Sequence, residues 1–179
     1  FTVEAWIRQP NQAGSNASSS TIVNKWHNQG NDKEWILRIQ EDSGNKLQWI
    51  QTQDGNSNQF TTGSTNLGNN TWYHVVITRQ DSVTDPVFYI NNVVHVSHAA
   101  AYENRQQHIS LQSDSKRTLS IGHFHRTRTP YGSTDNFEAL NGEIGAIYFM
   151  NRHVSAAEVA TAYGDSGEFK KRALSSKNM

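Results

Sequence analysis

Along most of the chain, apolar and polar residues alternate in short runs, which is the period of a strand with one face turned inward. Phe1, Val3, Ala5 and Ile7 fall on one face of the first run, and Thr2, Glu4, Trp6 and Arg8 on the other. Residues 21–26 predict a short second strand. Residues 34–40 and 46–53 predict two more, joined through Asp42-Ser43-Gly44-Asn45, a hairpin signal. A weak edge strand is expected over 60–65. The run Trp72-Tyr73-His74-Val75-Val76-Ile77-Thr78-Arg79 is different, because both of its faces carry apolar groups. Trp72 and Val76 share one face, and Tyr73, Val75 and Ile77 the other, so this strand must be covered on both sides. Val87-Phe88-Tyr89-Ile90 reads as its hairpin partner, with a turn at Asn91-Asn92. Further strands are expected over 93–98, 117–122 and 139–150. Ser155 is a good helix N-cap with Glu158 three places on, which predicts one short helix over 156–163 with Gly164 as its stop. Many short strands, frequent turns and a single helix predict an all-β fold. The expected form is a two-sheet antiparallel β-sandwich of jelly-roll type, with one short C-terminal helix.

Composition narrows the function classes. At 179 residues the chain fits one domain with a normal core. The expected division is a sandwich domain over 1–164 and a polar, basic, flexible tail over 165–179. Only 18% of residues are charged, below the usual quarter, and the polar excess is Asn, Gln, Ser and Thr. Sixteen basic residues balance sixteen acidic ones, so no overall field draws in nucleic acid. No apolar run approaches the roughly 20 residues that span a bilayer, so membrane insertion by a helix is not expected. The absence of cysteine excludes disulfides, thiol nucleophiles and thiolate metal sites. The chain opens at Phe1 inside a strand, without Met or signal segment, which is expected of a fragment or processed piece.

Several segments, taken in order, resemble a known family. They are Phe1-Thr2-Val3-Glu4-Ala5-Trp6-Ile7, Ile22-Val23-Asn24-Lys25-Trp26, Asn70-Thr71-Trp72-Tyr73-His74-Val75-Val76-Ile77-Thr78-Arg79, Phe88-Tyr89-Ile90-Asn91-Asn92, Leu119-Ser120-Ile121-Gly122 and Asn141-Gly142-Glu143-Ile144-Gly145-Ala146-Ile147-Tyr148-Phe149. Asn151-Arg152-His153-Val154-Ser155-Ala156-Ala157-Glu158-Val159 closes the series. The chain is similar to laminin G-like domains of the concanavalin A-like lectin/glucanase superfamily, in the branch that includes pentraxins. The resemblance implies the sandwich fold, an extracellular or cell-surface setting and a carbohydrate or glycoprotein partner. It also implies a structural Ca2+. Two departures count against the ion: relatives carry an earlier strand with an Asp-rich turn, and often an acidic residue where Gly145 stands.

Glycoside hydrolysis needs two carboxylates flanking the bond, and on a strand these would stand two residues apart. Gly145 and Ile147 follow Glu143, and Ile36 and Arg38 follow Glu34, so no strand offers the pair and no enzyme is expected. His74, mid-strand, is expected to be a hydrogen-bonded core histidine. His123 and His125 could ligate a metal with Asp135, but a solvated loop is the preferred reading, because the third ligand is ten residues away and unfixed. The long 123–136 loop is the main site candidate. There Tyr131 would stack on a sugar ring, while Arg126, Arg128, His125, Asp135 and Asn136 would take hydroxyls or an acidic group. Most of the five tryptophans belong to the core, with Trp26 and Trp49 the candidates for a ligand-facing ring. Gln48, Gln51, Gln53, Asn56 and Asn58 read as a solvated sheet face. Asn16-Ala17-Ser18 and Asn69-Asn70-Thr71 are N-glycosylation sequons, with Asn16 and Asn69 as acceptors. The expected function is non-catalytic recognition, by carbohydrate binding or adhesion. The alternative is an assembly module in which a strand from another segment completes an open sheet edge beside the last strand.

Overall fold

A computed structural model describes residues 1–9, 19–26, 33–41, 44–52, 58–80, 86–95, 98–99, 119–123 and 139–165. The strands are β1 (Thr2–Gln9), β2 (Ser19–Trp26), β3 (Lys33–Gln40), β4 (Lys46–Thr52), β5 (Asn58–Asn66), β6 (Thr71–Thr78), β7 (Val87–Ile90), β8 (Val93–His95), β9 (His98–Ala99), β10 (Ser120–Ile121) and β11 (Glu143–Met150). The helix α1 (Ala156–Asp165) follows. Two antiparallel sheets form a sandwich: five strands in the order β11-β1-β6-β7-β8, and six in the order β10-β2-β3-β4-β5-β9.

The inner faces meet as the alternation dictates. Val3, Ala5 and Ile7 of β1, Val75 and Ile77 of β6, and Phe88 and Ile90 of β7 pack against Ile22, Val23, Leu37, Ile39, Leu47 and Trp49. Each of the larger side chains contributes roughly 1.5–3 kcal/mol by leaving water. Trp49 stacks between Phe1 and Trp35, with ring centroids 5.1 Å away on each side. A bulge at Thr21/Val23 lets Ile22 and the following Val23 both enter the core. Asn91 and Asn92 take positive φ values of 51° and 67°, so the expected turn exists and joins β7 to β8.

The second apolar face of β6 is covered by α1. Val76 and Tyr89 pack with Val154 and Val159, and Tyr163 stacks on Trp6 with ring centroids 6.0 Å apart. A short hydroxyl relay fixes the approach to the helix. Thr2 Oγ1 donates to Arg152 O at 2.7 Å, Thr78 Oγ1 lies 2.7 Å from Thr2 Oγ1, and Val154 N donates to Thr78 Oγ1 at 3.1 Å. The helix then starts on the expected capping box: Ser155 N donates to Glu158 Oε2 at 2.8 Å, and Glu158 N to Ser155 Oγ at 3.3 Å.

Several expectations are corrected. β5 is not an edge strand, since it lies between β4 and the two-residue β9. The 93–98 run does not form one strand: β8 pairs with β7 in one sheet and β9 with β5 in the other. β11 begins at Glu143 because Gly142 passes against β1, where an added Cβ would come within 2.3 Å of Arg8 O. Gly164 does not stop α1, which runs to Asp165. Gln48 and Gln51 are buried rather than solvated. Gln48 Nε2 donates to Gln40 Oε1 at 2.7 Å and its Oε1 accepts from Arg38 Nε at 2.8 Å, while Gln51 Oε1 accepts from Arg79 Nη1 at 2.9 Å and Trp49 Nε1 at 2.8 Å. Gln53 and Asn56 lie outside the described residues, as does the side chain of Asn58.

The cap yields a pH prediction. Hydrogen bonds from the Ser155 backbone and hydroxyl, then from Arg152, hold the Glu158 carboxyl at about 2 instead of 4.5. Its contribution is therefore complete above pH 4.5 and is lost as pH falls through about 2. In thermal melts at successive pH values, Glu158→Gln should lower the midpoint near neutrality. The gap to the wild type should close on acidification across that window.

Candidate functional site

The candidate loop is held at both ends by the sandwich edge. Gly122 N donates to Ile22 O on β2, and Leu140 N donates to Gly122 O, both at 2.8 Å. The Asn24 amide, 1% exposed, donates to His123 O at 2.7 Å and to Ser120 O at 3.5 Å. Residues 123 and 139 therefore leave and re-enter the fold beside one stretch of β2. Gly122 sits at φ +77°, with nothing within 4 Å of an added Cβ, so the glycine serves the backbone turn and not a tight packing contact. His125, Arg126, Arg128, Tyr131, Asp135 and Asn136 lie outside the described residues. His123, at the start of the loop, is exposed.

Trp26, the remaining ligand candidate, packs with Ile36 and Ile50 at 9% exposure, so its ring already serves this cluster. Trp49 is 1% exposed and is the centre of the inter-sheet aromatic stack, which corrects the expectation of a ligand-facing ring. Of the two sequons, Asn16 lies outside the described residues, and Asn69 is exposed in the turn before β6.

His74 has the expected core role. It is 0% exposed, its Nε2 lies 3.0 Å from Glu4 Oε1, and its ring packs with Trp6 at 5.2 Å and Tyr163 at 5.6 Å. The described glutamates are all engaged. Glu4 contacts His74, Glu34 pairs with Lys25 at 2.8 Å, Glu41 accepts from Ser20, Glu143 pairs with Arg8, and Glu158 caps α1. Among the described residues, no three His, Asp or Glu side chains gather where a metal ion could sit. Gly145 brings no oxygen from its side chain to the position where relatives carry an acid, and the neighbouring Glu143 carboxylate takes both guanidinium bonds from Arg8. The described residues do not fit a calcium cage, which needs six to eight oxygen ligands. No helix among the described residues is long and apolar enough to cross a membrane.

Two antiparallel sheets and one flanking helix define a β-sandwich of jelly-roll type. Residues 1–160 match the Laminin_G_3 family model, described as the concanavalin A-like lectin/glucanases superfamily, and the chain belongs to this family. The native heptameric SAP-like pentraxin from Limulus polyphemus superposes with a TM-score of 0.59 at 18% identity, covering 90% of this chain and 68% of the pentraxin chain. Domains LG4–5 of the mouse laminin α1 chain give 0.56 at 19% identity, over 87% of this chain and 36% of theirs. Botulinum neurotoxin type C, whose cell entry depends on interaction with two ganglioside molecules, gives 0.55 at 19% identity, over 91% and 35%. The chain thus spans about a third of the length of the laminin and neurotoxin structures. No curated protein sequence matches. At these identities the structures establish the fold alone.

Asn24 is the residue that sequence reasoning missed. Polar residues in a strand give no sign of which backbone they will hold. Asn24→Ala should cost about 1–3 kcal/mol in urea unfolding, because it removes a buried amide and both of its hydrogen bonds to the loop base.

Proposed function

We propose that residues 1–164 form a non-catalytic extracellular recognition module of a larger protein, binding carbohydrate or glycoprotein through the 123–136 loop. The observation that supports this reading is the closure at Gly122 and Leu140, which ties the two ends of the segment together on one sandwich edge. Tyr131 covers the apolar face of a sugar ring, Arg126 and Arg128 take an acidic sugar or sulfate, and His125, Asp135 and Asn136 take hydroxyls. Trp26 joins them only by turning out of its cluster with Ile36 and Ile50. Family membership and the ganglioside-dependent neurotoxin fit a glycan partner. Single sites of this kind are weak, and repetition of the module supplies avidity. Asn16 and Asn69 are the proposed glycan acceptors. On a glycan array, run with and without Ca2+, the chain should bind a restricted set of glycans. Arg126→Ala and Tyr131→Ala should each weaken the best hit about tenfold or more, the value of one good charge-assisted or stacking contact. Silence across the array under both conditions sinks the reading.

A second reading rests on β11. This strand is an edge of the five-stranded sheet, with Tyr148 54% and Phe149 44% exposed. Beside it a cavity of about 280 Å³, lined by Phe1, Val3, Trp35 and Phe149 among others, opens between the sheets. Such an edge accepts an added strand from a partner or another segment, and the module would then serve assembly. On this reading the chain self-associates or is captured through β11, and Phe149→Lys abolishes the association in sedimentation experiments. A cooperative monomer at all concentrations counts decisively against it.

A further inference from the structure

The fold contains a second concavity, on the opposite face from the inter-sheet core. Between α1 and the outer face of β1 and β11 lies a groove of about 390 Å³, inside the size range of functional pockets. Its apolar surface comes from Met150 and Val154 at one end and Ala157, Val159 and Ala162 along the helix. Its charge is one-sided: Glu4, Glu158 and Asp165 face the single Arg152, leaving two net negative charges. Glu158 and Arg152 pair with each other at 2.6 Å, so Glu4 and Asp165 carry the excess. Glu4 is oriented from below, where buried His74 holds Oε1 at 3.0 Å. That carboxylate stands on β1 directly opposite Tyr148 of β11, whose ring is 54% exposed at the side of the groove.

We infer that this groove binds a basic peptide segment, with one lysine or arginine laid along Met150 and Ala162 and its cation set toward Glu4 and Asp165. The apolar floor suits the methylene stem of such a side chain, and the carboxylates of Asp165 and of Glu4, whose Oε1 is shared with His74, suit its head. The inference is independent of the glycan reading, since the 123–136 loop springs from β10, beside β2, in the other sheet.

The test uses the full chain and a fluorescent peptide of alternating lysine and alanine, read by anisotropy, with a glutamate–alanine peptide as comparison. The lysine peptide should bind, more weakly as salt is raised, and the glutamate peptide should not. Asp165→Asn and Glu4→Gln should each weaken binding about tenfold, the scale of one charge-assisted contact. Thr161→Trp, which fills the groove without changing charge, should block it, and Glu41→Gln in the β3–β4 turn should leave it unchanged. Glu4→Gln also disturbs His74, so Asp165→Asn and Thr161→Trp, both at exposed positions on α1, decide the matter if it unfolds. Equal binding of both peptides, indifference to Asp165→Asn and Thr161→Trp, or displacement of the peptide by a neutral oligosaccharide overturns the inference.

Discussion

The organisation of this molecule depends on the need to bury both faces of β6. Val75 and Ile77 look into the sandwich, while Trp72, His74 and Val76 look the other way, and all five are buried. A second sheet alone would leave the outer three in water, where each large apolar side chain forgoes roughly 1.5–3 kcal/mol. The helix α1 covers Val76 and His74, through Val159 and Tyr163, while the Arg8 guanidinium lies over Trp72 at 5.8 Å. The placement of the helix explains why Thr2 and Thr78, polar residues on the outer face, are fully buried and spent on the link to Arg152 and Val154. The same cover brings Tyr163 over the buried His74 ring, whose Nε2 is partnered by Glu4 while its Nδ1 has no hydrogen-bond partner.

The same placement leaves the neighbouring strands differently exposed. α1 puts Val159 against Val76 and Tyr89, and Tyr163 against Trp6, so the outer face toward β11 is only partly roofed. That gap is the groove lined by Glu4, Met150 and Asp165. At the margin of the same sheet, Tyr148 and Phe149 project from opposite faces of β11, one beside the groove and one toward the inter-sheet cavity. The groove is a consequence of one ten-residue helix lying over β6 and β7 and not over the border strand, whereas the inter-sheet cavity and the open edge follow from the end position of β11 in its sheet.

How much of this was legible beforehand differs by element. The two-sided apolarity of β6 announced a covered strand, and Ser155 with Glu158 announced the helix that covers it. The Asn91-Asn92 turn and the core role of His74 also followed from residue type and spacing. Depth of burial did not. Period two says that Gln48 and Gln51 share neither face with neighbours one residue away, but it cannot say that Arg38 and Arg79 will come to satisfy their amides within the fold. Trp49 differs for the same reason: Gln51, which reads as a solvated neighbour, accepts from its indole nitrogen inside the fold, and its stacking partners, Phe1 and Trp35, come from elsewhere in the chain. Local propensity alone makes Gly164 a helix stop, a weak preference that α1 overrides by running to Asp165. The groove could not be foreseen at all, because it is a gap between elements and belongs to no single segment.

For the candidate loop, what matters physically is how its ends are held. A long excursion with free ends would lose binding energy to ordering when a ligand arrives, at about 1–2 kcal/mol for each backbone residue fixed. Joining Gly122 to Leu140, and clamping His123 with a buried amide, removes part of that loss before any ligand is present. Asn24 can do this only because β2 is itself paired to β3 along its length and cannot yield toward the loop. The rigidity of the sandwich is thereby passed to the base of the loop through one side chain. A shallow site that must recognise its ligand with a few polar groups and one ring depends on that support more than a deep pocket would.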